Sequence, residues 1–492
     1  MNSNANLSKS KYLRGLQCPK LLWYEYNRKS DIPKPEPAVQ FAFDEGKRVG
    51  QQSQRLFPDG IVVARDWVPQ KQAEKSLAAL KKRKPLFEAG FVYSQAYALA
   101  DILVPVDNDS WDLIEVKSST SAKEEHYHDV AFQRYVYQGA GVKIRKCYLM
   151  YINKEYVRQG EIDPKQLFEQ KDITMECAVL ESKIAKEVAA MLKVISAKDI
   201  PDIPIGQHCK SPRDCPLIDV CWSFLPDQEN VFILYSGGRK SFDLLSRGIS
   251  KITDIPDDFN LNYRQVIQVQ AHRSGKPYVD KEAIREFLGR LEYPIYYLDF
   301  ETVAPAIPLF DQARPYQSIP FQYSLFVITK EGSQPIHHTF LAPDAADPRP
   351  SVLAQLKELL GDQGSIVSYS AGFEKSCLKS CANAYPDHLD WVKEVNKRFV
   401  DLLEPFQKFN VYHPAQAGRA SLKNVLPAMT KSSYQNLKIA EGGAASAEFY
   451  RVTYGEDISK KDREEVREAL KKYCDIDTIG MVEVIAALKA LL

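Results

Sequence analysis

Acidic residues stand in this chain where an apolar strand would normally exclude them. In IYYLDFETV, Asp299 and Glu301 are two residues apart in a run that is otherwise almost wholly apolar. Residues two apart on a strand share a face, and acids on such a strand need a cation or an exposed edge. Further along, Tyr473 and Asp477 are four apart on a helical stretch, so phenol and carboxylate share a face. Between them, IVSYSAGFEK reads as a strand, a short turn, and a helix opened by Phe373-Glu374, while FVDLLEP offers Asp401 as a second candidate for the same acid. Acids gathered from several elements at one cleft are what two-metal phosphoryl chemistry needs. Two divalent ions about 3.5–4 Å apart activate a water and stabilise the leaving oxygen.

A second set lies upstream. AYALADILVPVDNDSWDLIEVKSS reads as a hairpin: residues 97–106 are extended, Asp107-Asn108-Asp109-Ser110 supply turn chemistry, and Trp111 to Lys117 return. The hairpin brings Asp101 and Glu115 to one end, with Lys117 on the face of Glu115. Two carboxylates there suit Mg2+ or Mn2+ held through oxygen. Lys117 would position a nucleophile or offset charge on the phosphate. An exposed strand ion pair looks the same in isolation. The added context is the helix EEHYHDVAFQRYVYQGAG, which carries Gln133 and Tyr137 four apart on one face. His126 and His128 on that helix read as polar surface.

A third set is made of thiols. HCKSPRDCPLIDVCW places Cys209, Cys215 and Cys221 within 13 residues, among charges that make poor core. Cys18, in YLRGLQCPKLLWYEY, is the distant candidate for a fourth ligand. Four thiolates suit a [4Fe–4S] cluster or an all-cysteine zinc site, and the spacing leaves both open. An odd total of nine cysteines argues against a disulfide framework. Cys147, Cys177, Cys377, Cys381 and Cys474 read as buried small hydrophobes.

The elements that must position these groups fall into an α/β chain of several domains. At 492 residues, two to four domains are expected. The 45% hydrophobic and 26% charged content is ordinary globular usage, which excludes wholesale disorder, collagen and coiled coil. No apolar run approaches the ~18 residues of a membrane span, and MNSNANLSKSKYLRG has no secretory h-region, so a cytoplasmic protein without membrane contact is expected. Net charge is only +1, yet residues 1–90 carry 17 Lys and Arg against 9 Asp and Glu. A basic front suits a polyanion; scattered solvated helices would give the same count. Three regions separate. Residues 1–222 form a mixed α/β domain ending at the cysteine cluster. Residues 223–290 form a small helical linker, in which LYSGGRKSFDLLSRGISKITDIP loosely resembles a helix–hairpin–helix. Residues 291–492 form a second α/β domain, with strands near 294–300, 321–329, 336–341, 366–370 and 398–402 and helices near 350–360, 373–384 and 463–490.

The ordered motifs carry resemblances. ALAD…IEVK…QRYVY resembles the RecB-like branch of the PD-(D/E)XK nuclease superfamily, with its restriction-endonuclease-like fold. The likeness implies Asp101, Glu115 and Lys117 as catalytic core, with Gln133 and Tyr137 lining the site or the DNA path. Many relatives carry a metal-binding His on an early helix; FAFDEGKRVGQQS has none, and Glu45 and Gln51 are poor substitutes. One cysteine before this core and three after it resembles the iron–sulfur staple of CRISPR-associated RecB-like exonucleases, although the x5/x5 spacing is wider than usual. That likeness implies a structural [4Fe–4S] cluster on Cys18, Cys209, Cys215 and Cys221. The set DxE…FE…YxxxD resembles the Tyr-bearing DEDD exonucleases of the RNase H-like fold. It implies that Asp299, Glu301 and Asp477 bind metals and that Tyr473 orients the attacking water. Glu374 takes the second acid's place, where Asp after an Asn-containing turn is usual, and Asp401 is the alternative. Ser421-Leu422-Lys423 and Glu441-Gly442 also look like elements of that family.

The whole chain is similar to a bacterial family that fuses these two nuclease domains. The resemblance implies a metal-dependent DNA nuclease, an exonuclease on single strands or duplex ends, in repair, recombination or defence. DNA is expected ahead of RNA, although DEDD-type acids do not read the sugar. One alternative keeps one domain active and makes the other a binding platform. Another is a non-catalytic iron–sulfur nucleic-acid binder or redox sensor.

Overall fold

The computed structural model describes residues 6–492, so the first five residues of the stretch searched for a leader lie outside it. The chain is mixed α/β with several sheets. Its contacts divide it into two compact units. The first holds the chain up to Pro35, Val39–Trp222 and Pro305–Tyr316; the second holds Glu36–Ala38, Ser223–Ala304 and Gln317–Leu492. One boundary therefore falls at 222/223. The segment 223–290 belongs with the C-terminal unit and is not a separate body, while a short piece of 291–492 is counted with the first unit.

In the first unit, β1 (Leu7–Ser8) leads into α1 (Lys9–Gln17) and α2 (Pro19–Asn27), followed by α3 (Pro37–Gln54), β2 (Ile61–Val62) and α4 (Pro69–Leu80). Then come β3 (Leu86–Tyr93), β4 (Ala96–Pro105), β5 (Ser110–Lys117), α5 (Glu124–Gly139), β6 (Lys143–Ile152), β7 (Phe168–Asp172) and α6 (Thr174–Ser196). The sheet order is β2-β3-β4-β5-β6-β7, with β1 added in parallel to the start of β4. The β4–β5 hairpin turns where Asp107 Oδ1 accepts from the amides of Asp109 and Ser110. Parallel β5 and β6 are joined across α5, as a parallel pair requires. At Gly139, the last residue of α5, a Cβ would fall 2.2 Å from the Tyr93 ring, and the chain leaves the helix through Gly141 at φ 87°. Leu113, Phe132, Val136 and Leu149 fill the core between α5 and the sheet. Segment 305–316 is held by the first unit: Ala306 is buried with Val49, Ile114 and Met150. Arg158 Nη1 donates to the Pro308 carbonyl at 3.0 Å, and the Gly160 amide donates to Asp311 at 2.8 Å.

In the second unit, the helix Arg239–Ser246, a 3-10 turn at Ile252–Asp254 and α7 (Tyr263–Ser274) enclose a small core of Val231, Leu244, Ile252 and Val269. The strand β8 (Tyr278–Val279) and the helix Lys281–Leu288 continue that segment, and Ile284 and Phe287 share a core with Tyr297, Met481 and Val484. This shared burial is why 223–290 is no free-standing linker. The main elements are β9 (Ile295–Val303), β10 (Ile319–Ile328), β11 (Ile336–Leu341), α8 (Arg349–Leu359), β12 (Ile366–Ser368), α9 (Gly372–Ala384) and β13 (Phe399–Asp401). After them come β14 (Val411–Tyr412), α10 (Leu422–Met429), α11 (Gly442–Tyr454) and α12 (Lys460–Ala490). The sheet order is β11-β10-β9-β12-β13, antiparallel through β9 and parallel beyond it, and β8 pairs with β14. No helix among the described residues is long and apolar enough to cross a membrane.

Candidate functional sites

The first unit gathers its site on β4, β5 and α5. Antiparallel register pairs Ile102 with Ile114, so Asp101 and Glu115 end up side by side. Asp101 Oδ2 accepts from the Val116 amide at 2.7 Å. Glu115, only 1% exposed, has both oxygens engaged. Oε1 takes Lys117 Nζ at 2.7 Å and Lys9 Nζ at 2.6 Å, and Oε2 takes Gln133 Nε2 at 2.7 Å. Asp129, which the motifs above do not include, accepts from Lys117 and from Gln133, with Lys9 Nζ 3.7 Å away. Burial and the neighbouring Glu115 push Asp101 up to about 7. Burial would raise Glu115 too, but the ammonium groups of Lys117 and Lys9 hold its carboxyl well below the usual range. The carboxylates in turn overcome burial to raise both lysines.

Tyr137 is fully buried, its hydroxyl donating to the Ala89 carbonyl and accepting from the Ala100 amide at 2.6 Å. It braces β3 against β4 beneath the site and does not line a path. His126 is also buried, contrary to the surface reading: its Nδ1 accepts from the Lys123 amide to cap α5, and burial lowers it to about 4. Glu45 is buried as well, bonded to Arg48 at 2.5 Å and to the Ala306 amide. The buried Oε1 of Gln133 has no hydrogen-bond partner, a spare acceptor that fits a cation beside Asp101 and Glu115.

The cysteine set converges at the end of α1. Cys18, Cys209, Cys215 and Cys221 line one small cavity with Ile203, Leu217 and Trp222, and all four are free thiols. Gln17 Nε2 ties α1 to the loop, donating to the carbonyls of His208 and Arg213 at 2.8 Å each. Burial, then the facing thiols, pushes Cys215 up to about 11. A four-thiol set in an apolar cradle fits a thiolate-bound metal group.

The second unit builds its site on β9, α9 and α12. Asp299, Glu301 and Cys474 present ligand atoms within 4.8 Å of one another. Glu374, 2% exposed at the start of α9, leaves Oε2 without a hydrogen-bond partner. Burial and then Asp477, Glu301 and Glu374 push Asp299 well up, and burial with Asp477 does the same to Glu301. Burial lifts Glu374 to about 8 and Asp477 to about 6. Lys423 is the ammonium that bears on Glu301 and Asp477, but it is itself bonded to Glu441. Tyr434 donates to Asp477 Oδ1, and Tyr473 stays protonated, raised by burial and by Asp477, Glu301 and Asp299. Gly442 lies beside the site: a Cβ built on it would sit in ordinary contact, 3.9 Å from both Glu301 Oε2 and the Tyr473 hydroxyl. The Asp299, Glu301 and Cys474 group is geometrically able to hold a metal ion, and Glu374 and Asp477 add negative charge beside it. Asp401 is placed differently: its Oδ1 accepts the amides of Ser370 and Leu403, and it acts on Glu374 from outside the cluster.

Four site residues escaped the motifs. Asp129 lies four before Gln133 and eight before Tyr137, so helical spacing alone would have found it. Cys474 shares its helix face with Asp477. Lys9 and Tyr434 carry no local signal, being 106 and 43 residues from the carboxylates they meet.

Residues 296–421 match a family described as a domain of unknown function, DUF2779. That span includes Asp299, Glu301, Glu374 and Asp401 and stops before Tyr473 and Asp477. The chain is 24% identical over 242 residues to the uncharacterized protein MG366 of Mycoplasma genitalium, covering 46% of this chain and 36% of that one. It is 27% identical over 208 residues to the MG366 homolog of Mycoplasma pneumoniae, covering 38% of this chain and 31% of that one. The chain thus spans about a third of the length of the curated relatives it matches. A crystal structure of SSO0001 aligns with 46% of this chain and 90% of its own at 14% identity and a TM-score of 0.24, which carries no conclusion about the fold.

Proposed function

We propose that the chain is a metal-dependent nuclease that hydrolyses phosphodiester bonds of DNA, with its main hydrolytic centre on Asp299, Glu301, Glu374 and Asp477. The observation that carries this reading is the charge deficit of that cluster: four acids, of which Glu301, Glu374 and Asp477 are buried and Asp299 half-buried, with one shared ammonium nearby. Buried carboxylates persist in this state only by staying protonated or by taking up a cation. A divalent ion held there would polarise the phosphodiester and lower the pKa of a water bound to it. Tyr473, protonated and beside the acids, would orient that water. In this reading the second unit has an RNase H-like DEDD fold, which its sheet order, antiparallel through β9 and parallel beyond, supports. The first unit is a RecB-like PD-(D/E)XK domain, supported by Asp101, Glu115 and Lys117 meeting on a hairpin flanked by α5.

Cys18, Cys209, Cys215 and Cys221 would hold a [4Fe–4S] cluster. A four-thiolate set holds either an iron–sulfur cluster or tetrahedral zinc, and metal content tells the two apart. Anaerobic purification should yield about four irons per chain, and Cys209→Ser should lose them.

A second version has its own support. Lys9 and Lys117 already pair Glu115 and Asp129 in the first site, which favours that unit as a DNA-binding platform. The decisive experiment uses end-labelled single- and double-stranded DNA and RNA with Mg2+ or Mn2+, on wild type, Lys117→Ala, Asp299→Ala and the double variant. Asp299→Ala should abolish the main products. Cleavage that survives Asp299→Ala unchanged overturns the assignment of the main centre, and no cleavage of any strand by wild type overturns the nuclease reading.

A further inference from the structure

The first site contains a cation of its own. Lys9 is the first residue of α1, fixed there because β1 pairs Leu7 with Ala96 and Ser8 with Tyr97 at the start of β4. From that place its ammonium reaches Glu115 Oε1 at 2.6 Å and comes within 3.7 Å of Asp129 Oδ1. Lys117 binds the same Glu115 oxygen at 2.7 Å, and Gln133 takes the other. Three carboxylates therefore face two ammonium groups, and the oxygen a divalent ion would need from Glu115 is occupied. Lys9 is the displaceable one. The two side chains are similarly accessible, 24% and 21%, but Lys117 is bonded to both Glu115 and Asp129 from within the strand, whereas Lys9 bonds Glu115 alone and stands 3.7 Å from Asp129.

We propose that Lys9 is an internal counter-ion that competes with a divalent cation for Glu115, so that metal entry to the first site requires Lys9 to swing out. The proposal rests on reading the first site as a cation site. Once displaced, the ammonium is left at the mouth of that site, where a phosphate of the substrate would meet it. Occupancy is then linked to the substrate, and the site fills at higher metal concentration than the second one. The opposite end of α1 is Cys18, so one nine-residue helix carries both the competing ammonium and a ligand of the cysteine site.

The test measures Mn2+ binding by electron paramagnetic resonance on the full chain with its cluster, in an Asp299→Asn background that removes the second centre's contribution. Lys9→Met should bind Mn2+ on the order of tenfold more tightly, as expected from removing a unit charge about 4 Å from the ion. Lys9→Arg should bind as the parent does, and Asp101→Asn should lose the affinity. Lys9→Gln repeats the measurement should the Met variant fold poorly. In otherwise native chain, Mn2+ should also speed acylation of Lys9 by an N-hydroxysuccinimide ester, read by mass spectrometry. Asp101-dependent Mn2+ binding that Lys9→Met leaves unchanged or weakens overturns the competition and spares the cation site. Absence of any Asp101-dependent binding in all variants overturns the cation site itself.

Discussion

The two acidic sites use similar ingredients and reach opposite electrostatic states. In the first unit, Glu115 and Asp129 are met by Lys9, Lys117 and the Gln133 amide, and the carboxyl of Glu115 is held well below the usual range. In the second, Asp299, Glu301, Glu374 and Asp477 all titrate above their ordinary values, and Lys423 is shared with Glu441. A buried carboxylate must be paired, protonated or ligated. The first site is paired by the fold except at Asp101, which is pushed up to about 7; the second is left without pairing at most of its acids. Acid count alone does not mark a metal centre, and the balance of internal cations separates the two cases.

The largest effect that can break this comparison is a difference in sign. Glu115→Gln removes the anion between two ammonium groups and should destabilise the protein by about 3 kcal/mol, the scale for breaking a buried pair. Asp299→Asn relieves repulsion in a site with no cation, so it should raise the Tm of metal-free protein. Chemical denaturation of both variants in EDTA measures this directly. Two changes of the same sign would mean that the sites are electrostatically alike.

Next in size is the pH response of the metal-free chain. The native pKa of Asp477 is about 6 and that of Glu374 about 8, both above the ordinary carboxylate range. Between about 4 and those values the native state binds more protons than the unfolded state, so stability falls as pH rises through that window. The Asp477 contribution alone is on the order of 1 kcal/mol between pH 5 and pH 8. Mn2+ should restore what is lost, so the ion-induced rise in Tm should be larger at pH 8 than at pH 5.5. Asp299→Asn should reduce that difference, and Asp101→Asn should remove the share that Asp101, itself pushed up to about 7, contributes.

How much of this was legible in the sequence follows the range of the interactions. The hairpin, α5 and the strands of the second unit announce themselves by local period and turn chemistry: β11 runs over 336–341 as expected, and α9 begins one residue before the expected 373. The acids of both sites sit on those elements, so motif spacing finds them. Spacing could not give their charge state, because Lys9 reaches Glu115 through the pairing of β1 with β4, and Tyr434 reaches Asp477 from a loop. The assignment of 305–316 to the first unit depends on Arg158 and Glu45, which no pattern near residue 310 reveals.

The smallest effect separates the two tyrosines. Tyr137 and Tyr473 have parallel spacing, each four residues along a helix from a polar partner, but their hydroxyls do different work. Tyr137 links the Ala89 carbonyl to the Ala100 amide in a fully buried place. Tyr137→Phe leaves that amide without its acceptor and should cost about 1–3 kcal/mol, with turnover unchanged in the fraction that remains folded. The Tyr473 hydroxyl faces carboxylates and supplies a bond to Asp477, which Tyr434 also bonds. Tyr473→Phe should therefore shift stability by less than about 1 kcal/mol, yet lower kcat with little change in KM. A Tyr137→Phe protein that is fully stable but slow would instead put the first site's hydroxyl into the chemistry and make the two centres alike after all.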